Sequence, residues 1–240
     1  MNNKIEVLTK LDTGHASEWL LPRFRVVPLS QLGIFPEEIA NSVTHGVGFV
    51  LSIIGATGML FPLVRRGDIG DCCGCVVFLL TMVTVYLAST CSHAVSHPAW
   101  RLWFRQLDQG VIYLFIAGSY TPWALTYSRS NIGLLFLALI WLIALTGFIS
   151  KIVLSHRVNR VCLILYLLLA WLPVLPLKHY LEVIPLAAFA WLFLGGLCYM
   201  VGTIFWKLDN KQYHFHAIWH VLVMLGTLCH YVAVFNYAIP

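Results

Sequence analysis

The feature that most constrains this chain is a series of apolar runs, each about as long as one bilayer crossing, joined by short polar segments. A helix needs about 20 predominantly apolar residues to cross the hydrocarbon core. A crossing helix also satisfies all its backbone hydrogen bonds within one segment. Seven such runs fall at residues 43–64, 72–93, 108–127, 132–152, 161–177, 183–206 and 216–237. The fifth is short and holds Pro173 and Pro176, so it is expected to kink. Only 10% of the 240 residues are charged, against about 25% in soluble domains, and the runs leave no room for a separate soluble domain. The expected fold class is all-α, an integral membrane bundle of seven transmembrane helices over residues 37–240. Residues 1–36 form a polar cytoplasmic or interfacial segment, with Trp19, Leu20, Leu21, Pro22, Arg23, Phe24 and Arg25 suited to the membrane interface. No cleavable signal peptide is expected, because the first long apolar run begins beyond residue 40.

The net charge of +5 does not point to nucleic acid, because the basic residues are spread one to three per joint. Their distribution instead sets topology. With seven crossings, eleven of the 15 Lys and Arg residues share the side of the amino terminus, among them Arg101, Arg105, Lys151, Lys207 and Lys211. Arg65, Arg66, Arg129 and Lys178 take the other side. The positive-inside rule then makes the amino terminus cytoplasmic and the carboxyl terminus external. The seven cysteines fit no disulfide framework or zinc-finger spacing and read as small core residues. Cys72, Cys73 and Cys75 cluster at one membrane edge, where oxidation or metal binding is the less favoured reading. Trp100, Trp103, Trp123, Trp141 and Trp206 are expected mostly in interfacial belts. The chain has no Gly-rich phosphate loop, nucleophile elbow or dinucleotide fingerprint.

An ionisable side chain inside a bilayer is costly and marks a functional site by default. Threading the runs alternately brings Glu38, Asn41 and His45 to the cytoplasmic end of the first span. Ser89 and His93 come to that end of the second, Asp108 of the third, and His216 and His220 of the seventh. Chance would scatter these groups over both leaflets. His216 and His220 lie four apart on one helical face, a spacing that chelates one zinc ion, and His93 supplies a third nitrogen from a facing helix. Three histidines with an open position form a catalytic rather than a closed structural zinc site. Ser89 shares a face with His93, and Asp108 is placed to hydrogen-bond a zinc-bound water or to orient an imidazole. Glu38 and Asn41 orient His45 or Asp108, or else cap the first span. His97 forms a second i, i+4 pair with His93, although the following Pro98 suggests a helix end facing the headgroups. His214 reads as interfacial, and His156 and His179 as loop residues. His230 lies about 15 Å along the helix from His220, too far to join the site.

The pattern Glu38-x-x-Asn41-x-x-x-His45, Ser89-x-x-x-His93, Asp108 and His216-x-x-x-His220 resembles the hemolysin III and PAQR (progestin and adiponectin receptor) family, over residues 36–237. The resemblance implies seven helices with the amino terminus inside. It also implies a zinc site near the cytoplasmic face, with His93, His216 and His220 as ligands and Asp108 and Ser89 near the metal-bound water. The length looks more like the bacterial hemolysin III branch, which implies the bacterial plasma membrane. That family looks related to alkaline ceramidases, so amide hydrolysis of a lipid is an implied chemistry.

Three functions follow as expectations. The first is a zinc-dependent hydrolase of a lipid amide or ester, with membrane lipids as substrate or ligand. The second is a pore-forming or lytic protein, disfavoured as an ion channel because the charges gather at one end and line no continuous path. The third is a receptor-like protein in which zinc is structural, with His97 as a candidate fourth ligand.

Overall fold

The computed structural model describes residues 36–66, 68–153, 159–209 and 214–239, and among them there are helices and no strands. Of the interfacial segment expected over residues 1–36, residues 1–35 lie outside the described residues, as does the loop residue His156. The helices are α1 (Pro36–Arg66), α2 (Ile69–Ala94), α3 (Pro98–Tyr127), α4 (Asn131–Val153), α5 (Asn159–Trp171), α6 (Leu177–Val183), α7 (Leu186–Leu208) and α8 (Phe215–Tyr237). Five of them (α1, α2, α4, α7 and α8) are long and apolar enough to cross a membrane, and the bent pair of α5 and α6 makes a sixth candidate.

Helix boundaries follow local chemistry. Pro36 opens α1, where its missing N–H costs nothing, and Glu37 and Glu38 place negative charge in the first turn, as the helix dipole favours. Asp68 caps α2 in a reciprocal arrangement: the Asp71 N–H donates to Asp68 Oδ1 at 2.9 Å and the Asp68 N–H to Asp71 Oδ2 at 3.4 Å. Pro98 ends the run after α2 and begins α3, with His97 as its N-cap. Pro173 and Pro176 each remove a backbone donor, and the chain passes from α5 through a 3-10 turn (Leu172–Val174) into α6 with a 55° bend. The expected kink is therefore present.

α2 is the hub, packed against α1 on one side and α3 on the other. α3 continues to α4, while α8 joins α1 to α7 and also reaches α3. Phe78, Met82 and Tyr86 of α2 meet Met59 and Leu63 of α1, Val111 and Phe115 of α3, and Ala233 and Val234 of α8. Between membrane helices the attraction is dispersion through close approach, which small residues permit. At Gly74 an added Cβ would sit 2.9 Å from Pro122 Cα, so α2 and α3 touch backbone to backbone there. At Gly195 it would sit 2.3 Å from the ring of His230, which is thereby socketed between α7 and α8.

The outward faces are apolar. Leu135, Leu142 and Ile149 form an exposed stripe at seven-residue spacing on α4, and Leu186, Phe193 and Met200 form one on α7. Contiguous apolar surface of this extent is unfavourable in water and suits lipid. Trp100 and Trp103 are exposed at the start of α3, in keeping with a belt. Trp123 and Trp141 depart from that expectation. Trp123 is buried and stacks on Tyr127 at 6.1 Å, and Trp141 Nε1–H donates to Thr121 Oγ1 at 3.1 Å.

Candidate metal centre

The start of α1, the end of α2, the first half of α3 and the start of α8 all lie at one end of the bundle, and they carry the residues singled out above. His93, His216 and His220 converge so that one ligand atom from each lies within 4.8 Å of the other two. Two zinc–nitrogen bonds of about 2.1 Å span about 4.2 Å at most, so small side-chain rotations close the group around one ion. His93 and His220 are buried and His216 is partly so.

Each imidazole is held from behind. His93 Nδ1 faces Glu38 Oε2 at 2.6 Å, and Glu38 Oε1 accepts from Arg105 Nη2 at 2.9 Å. His216 Nδ1 faces Asp209 Oδ2 at 3.1 Å. His220 Nδ1 faces the Asn41 carbonyl at 3.2 Å and Thr44 Oγ1 at 3.1 Å. The Thr44 hydroxyl already donates to the Ala40 and Asn41 carbonyls, so its oxygen is an acceptor toward His220. An imidazole nitrogen facing a carboxylate or carbonyl carries the proton. All three rings therefore present Nε2 as a lone pair, the tautomer that metal-ligating histidines adopt when the outer nitrogen donates to an acceptor. Three imidazoles fixed in this state, two buried and one partly so, are compatible with holding a metal ion.

Beside the triad, Ser92 Oγ–H points to Asp108 Oδ2 at 3.4 Å and also to the Ser89 carbonyl at 2.9 Å. Ser89 is fully buried and its hydroxyl faces the same carboxylate. His45 stacks on His220 with ring centroids 3.5 Å apart and planes at 16°, and it meets Tyr86 edge-on at 5.3 Å.

The structure thus brings His93, His216, His220, Asp108, Ser89, Glu38, Asn41 and His45 to one place. Glu38 pairs with His93, a partner the sequence reading did not name. Asn41 acts on His220 through its backbone carbonyl. His97 caps α3 and lies outside the triad. His179 pairs with Ser128 at 3.2 Å at the other end of the bundle, and His230 contacts Tyr199 between α7 and α8. No group of three metal-ligating residues forms around Cys72, Cys73 and Cys75 among the described residues. Arg105, Asp209, Thr44 and Ser92 went unselected in the sequence. Only Ser92 carried a local signal, standing three residues from Ser89.

Comparison with known proteins agrees with this arrangement. Residues 34–231 match the family model described as Haemolysin-III related. The chain belongs to the haemolysin-III related family. It is 35% identical over 204 residues to Hemolysin-3 of Bacillus cereus, covering 85% of this chain and 93% of that protein. It is 34% identical over 203 residues to the Hemolysin-3 homolog of Bacillus subtilis, covering 85% and 95%. The human Monocyte to macrophage differentiation factor is 30% identical over 209 residues, covering 84% of each chain. Family membership and the apolar helices together make this haemolysin-III related chain an integral membrane protein.

Proposed function

We propose that this chain is a zinc-dependent membrane hydrolase that cleaves an amide or ester bond of a lipid. The observation that carries the reading is the triad of His93, His216 and His220, each held at Nδ1, with one ring nitrogen from each within 4.8 Å of the other two. Closed structural zinc sites use four protein ligands, whereas three leave a position for substrate or water. Among the described residues, His97 lies outside the triad and no fourth histidine joins the group. Bound zinc would supply a Lewis acid that polarises a carbonyl and lowers the pKa of water.

The chain's own residues supply the rest. Asp108, held by Ser92 and faced by Ser89, is an acceptor for the proton released when water attacks. Its conjugate acid then returns the proton to the leaving amine or alkoxide. Ser89 orients the water or the carbonyl oxygen through its hydroxyl. The exposed apolar faces of the bundle suit entry of a lipid sideways from the bilayer.

The same reading places α1, α2, α3, α4, the bent α5–α6 pair, α7 and α8 as seven spans, with the amino terminus and the metal centre cytoplasmic. The setting is a bacterial plasma membrane. α3 is 30 residues long and long enough to cross at about 1.5 Å per residue. Its hydropathy is diluted by Ser119, Tyr120, Thr121 and Pro122, which pack inside the bundle. A lytic role, which the name of the Bacillus cereus relative carries, predicts membrane conductance that is indifferent to metal. The test is turnover of lipid amides and esters by purified zinc-loaded protein. Asp108→Asn is expected to retain zinc and to lower kcat at least about 100-fold, the usual worth of a general base. Undiminished turnover in that variant contradicts the proposal.

A further inference from the structure

The bend between α5 and α6 borders a cavity at the end of the bundle away from the triad. Backbone interrupted within a membrane is tolerated where it is buried in protein or lines a cavity. Pro176, His179 and Tyr180 line one side here, and Ser128, Ser130 and Phe136 line the other. The volume is about 360 Å³, within the range of small-molecule sites, about 300–1,000 Å³, and the cavity is open on one side. Ser128 is buried, and its Oγ lies 3.2 Å from His179 Nε2. Ser130 Oγ accepts from the Gly133 N–H at 3.2 Å, which leaves its own O–H to donate. A hydrogen bond that merely tied α3 to α6 would need no cavity beside it, since protein interiors otherwise close-pack. Ile132 also lines the cavity and is exposed on one face of α4 with Leu135 and Leu139. The cavity is thus continuous with the lipid-facing surface.

We propose that this cavity binds a single-chain amphiphile with a carboxylate head, a fatty acid taken from the bilayer. Its apolar walls, continuous with the lipid-facing side of α4, select a hydrocarbon tail. The polar groups select the head. Two serine hydroxyls and an imidazole can each donate a hydrogen bond. No Asp or Glu lines the cavity among the described residues, so an acceptor head is favoured over an ammonium. Hydrogen bonds to a charged acceptor are about twice as strong as neutral ones, which ranks a carboxylate above an alcohol. Arg129, next to Ser128, is engaged by Asp68 and Asp71, so recognition of the head falls to the hydroxyls and His179. The site is separate from the metal centre and does not depend on hydrolysis.

The test is photolabelling of the full chain in phospholipid nanodiscs with dodecanoate carrying a diazirine in its chain, mapped by peptide mass spectrometry. Label is expected on residues 128–136 and 176–180. Plain dodecanoate should displace it, and dodecanol should do so about 10-fold less effectively, the difference made by one hydrogen bond to a charged group. His179→Leu, at an exposed position, should weaken labelling about 10-fold. Phe136→Trp, which fills the cavity, should suppress it. If His179→Leu does not fold, Phe136→Trp and Ser130→Ala decide. Label spread evenly over the exposed helix faces overturns the site, and so does labelling unchanged in the folded variants. Displacement by dodecanol as effective as by dodecanoate overturns the carboxylate head.

Discussion

At the residue scale, the centre depends on what stands behind each histidine. Glu38 is the best placed of these groups, taking His93 on one oxygen and Arg105 on the other. Removing an outer-shell partner of this kind typically costs 10- to 100-fold in metal affinity. Glu38→Gln, nearly isosteric but uncharged, is therefore expected to weaken zinc binding by roughly that factor with helicity unchanged. Competition against a chromogenic chelator measures this, and wild-type affinity in the variant would mean that the Nδ1 contact is immaterial. The triad was legible because His216 and His220 are chelating neighbours along one helix, and because alternating threads carried His93 to the same depth. Asp209 and Thr44 were not legible, since both meet their histidines only through the packing of whole helices. The contribution of Asn41 was hidden for a different reason: it comes from a backbone carbonyl, which every residue has.

At the scale of elements, α2 and α3 are tied at the end of the bundle away from the histidine triad. Arg129 Nη2 reaches Asp68 Oδ1 and Asp71 Oδ1, each at 2.8 Å, Arg129 also pairs with Asp68 Oδ2, and Thr126 donates to Asp71 at 2.8 Å. The hydrogen bonds from Arg129 are the main cause that holds the exposed Asp68 carboxyl down at about 2, below its ordinary 3.8. A depressed carboxylate stabilises the fold above its unfolded-state value, and that contribution fades as pH falls toward about 2. Arg129→Gln should therefore lower Tm in detergent at pH 5. Its deficit relative to wild type should shrink as the pH is taken from 5 toward 2. A deficit that does not change with pH would show that the tie is not ionic. Element boundaries were legible wherever proline or a capping aspartate marks them, as at Pro98, Pro173 and Asp68. The first ten residues of α3 were not, because hydropathy stops registering a helix once it carries Arg101, Arg105 and Asp108, although the backbone continues in register. The burial of Trp123 and the hydrogen bond of Trp141 to Thr121 were not legible, because a tryptophan in the sequence does not distinguish an interface from a packed position.

At the scale of the molecule, the sequence made the class plain and the structure shows how the class serves the site. Four helices contribute to one polar end, and lipid-facing leucine, isoleucine and phenylalanine stripes surround them. The proposed seven-span topology predicts that a reporter fused at the carboxyl terminus is active only outside the cytoplasm, while one fused in the Lys207–Lys211 joint is active only inside it. The opposite pattern at either position contradicts the charge-based orientation. The central claim is the metal centre itself, and the most direct measurement is elemental mass spectrometry of detergent-purified protein, wild type beside His216→Ala/His220→Ala. The account predicts about one zinc per chain, lost in the double variant while helicity is retained. A well-folded wild type that binds no metal when offered zinc would contradict it.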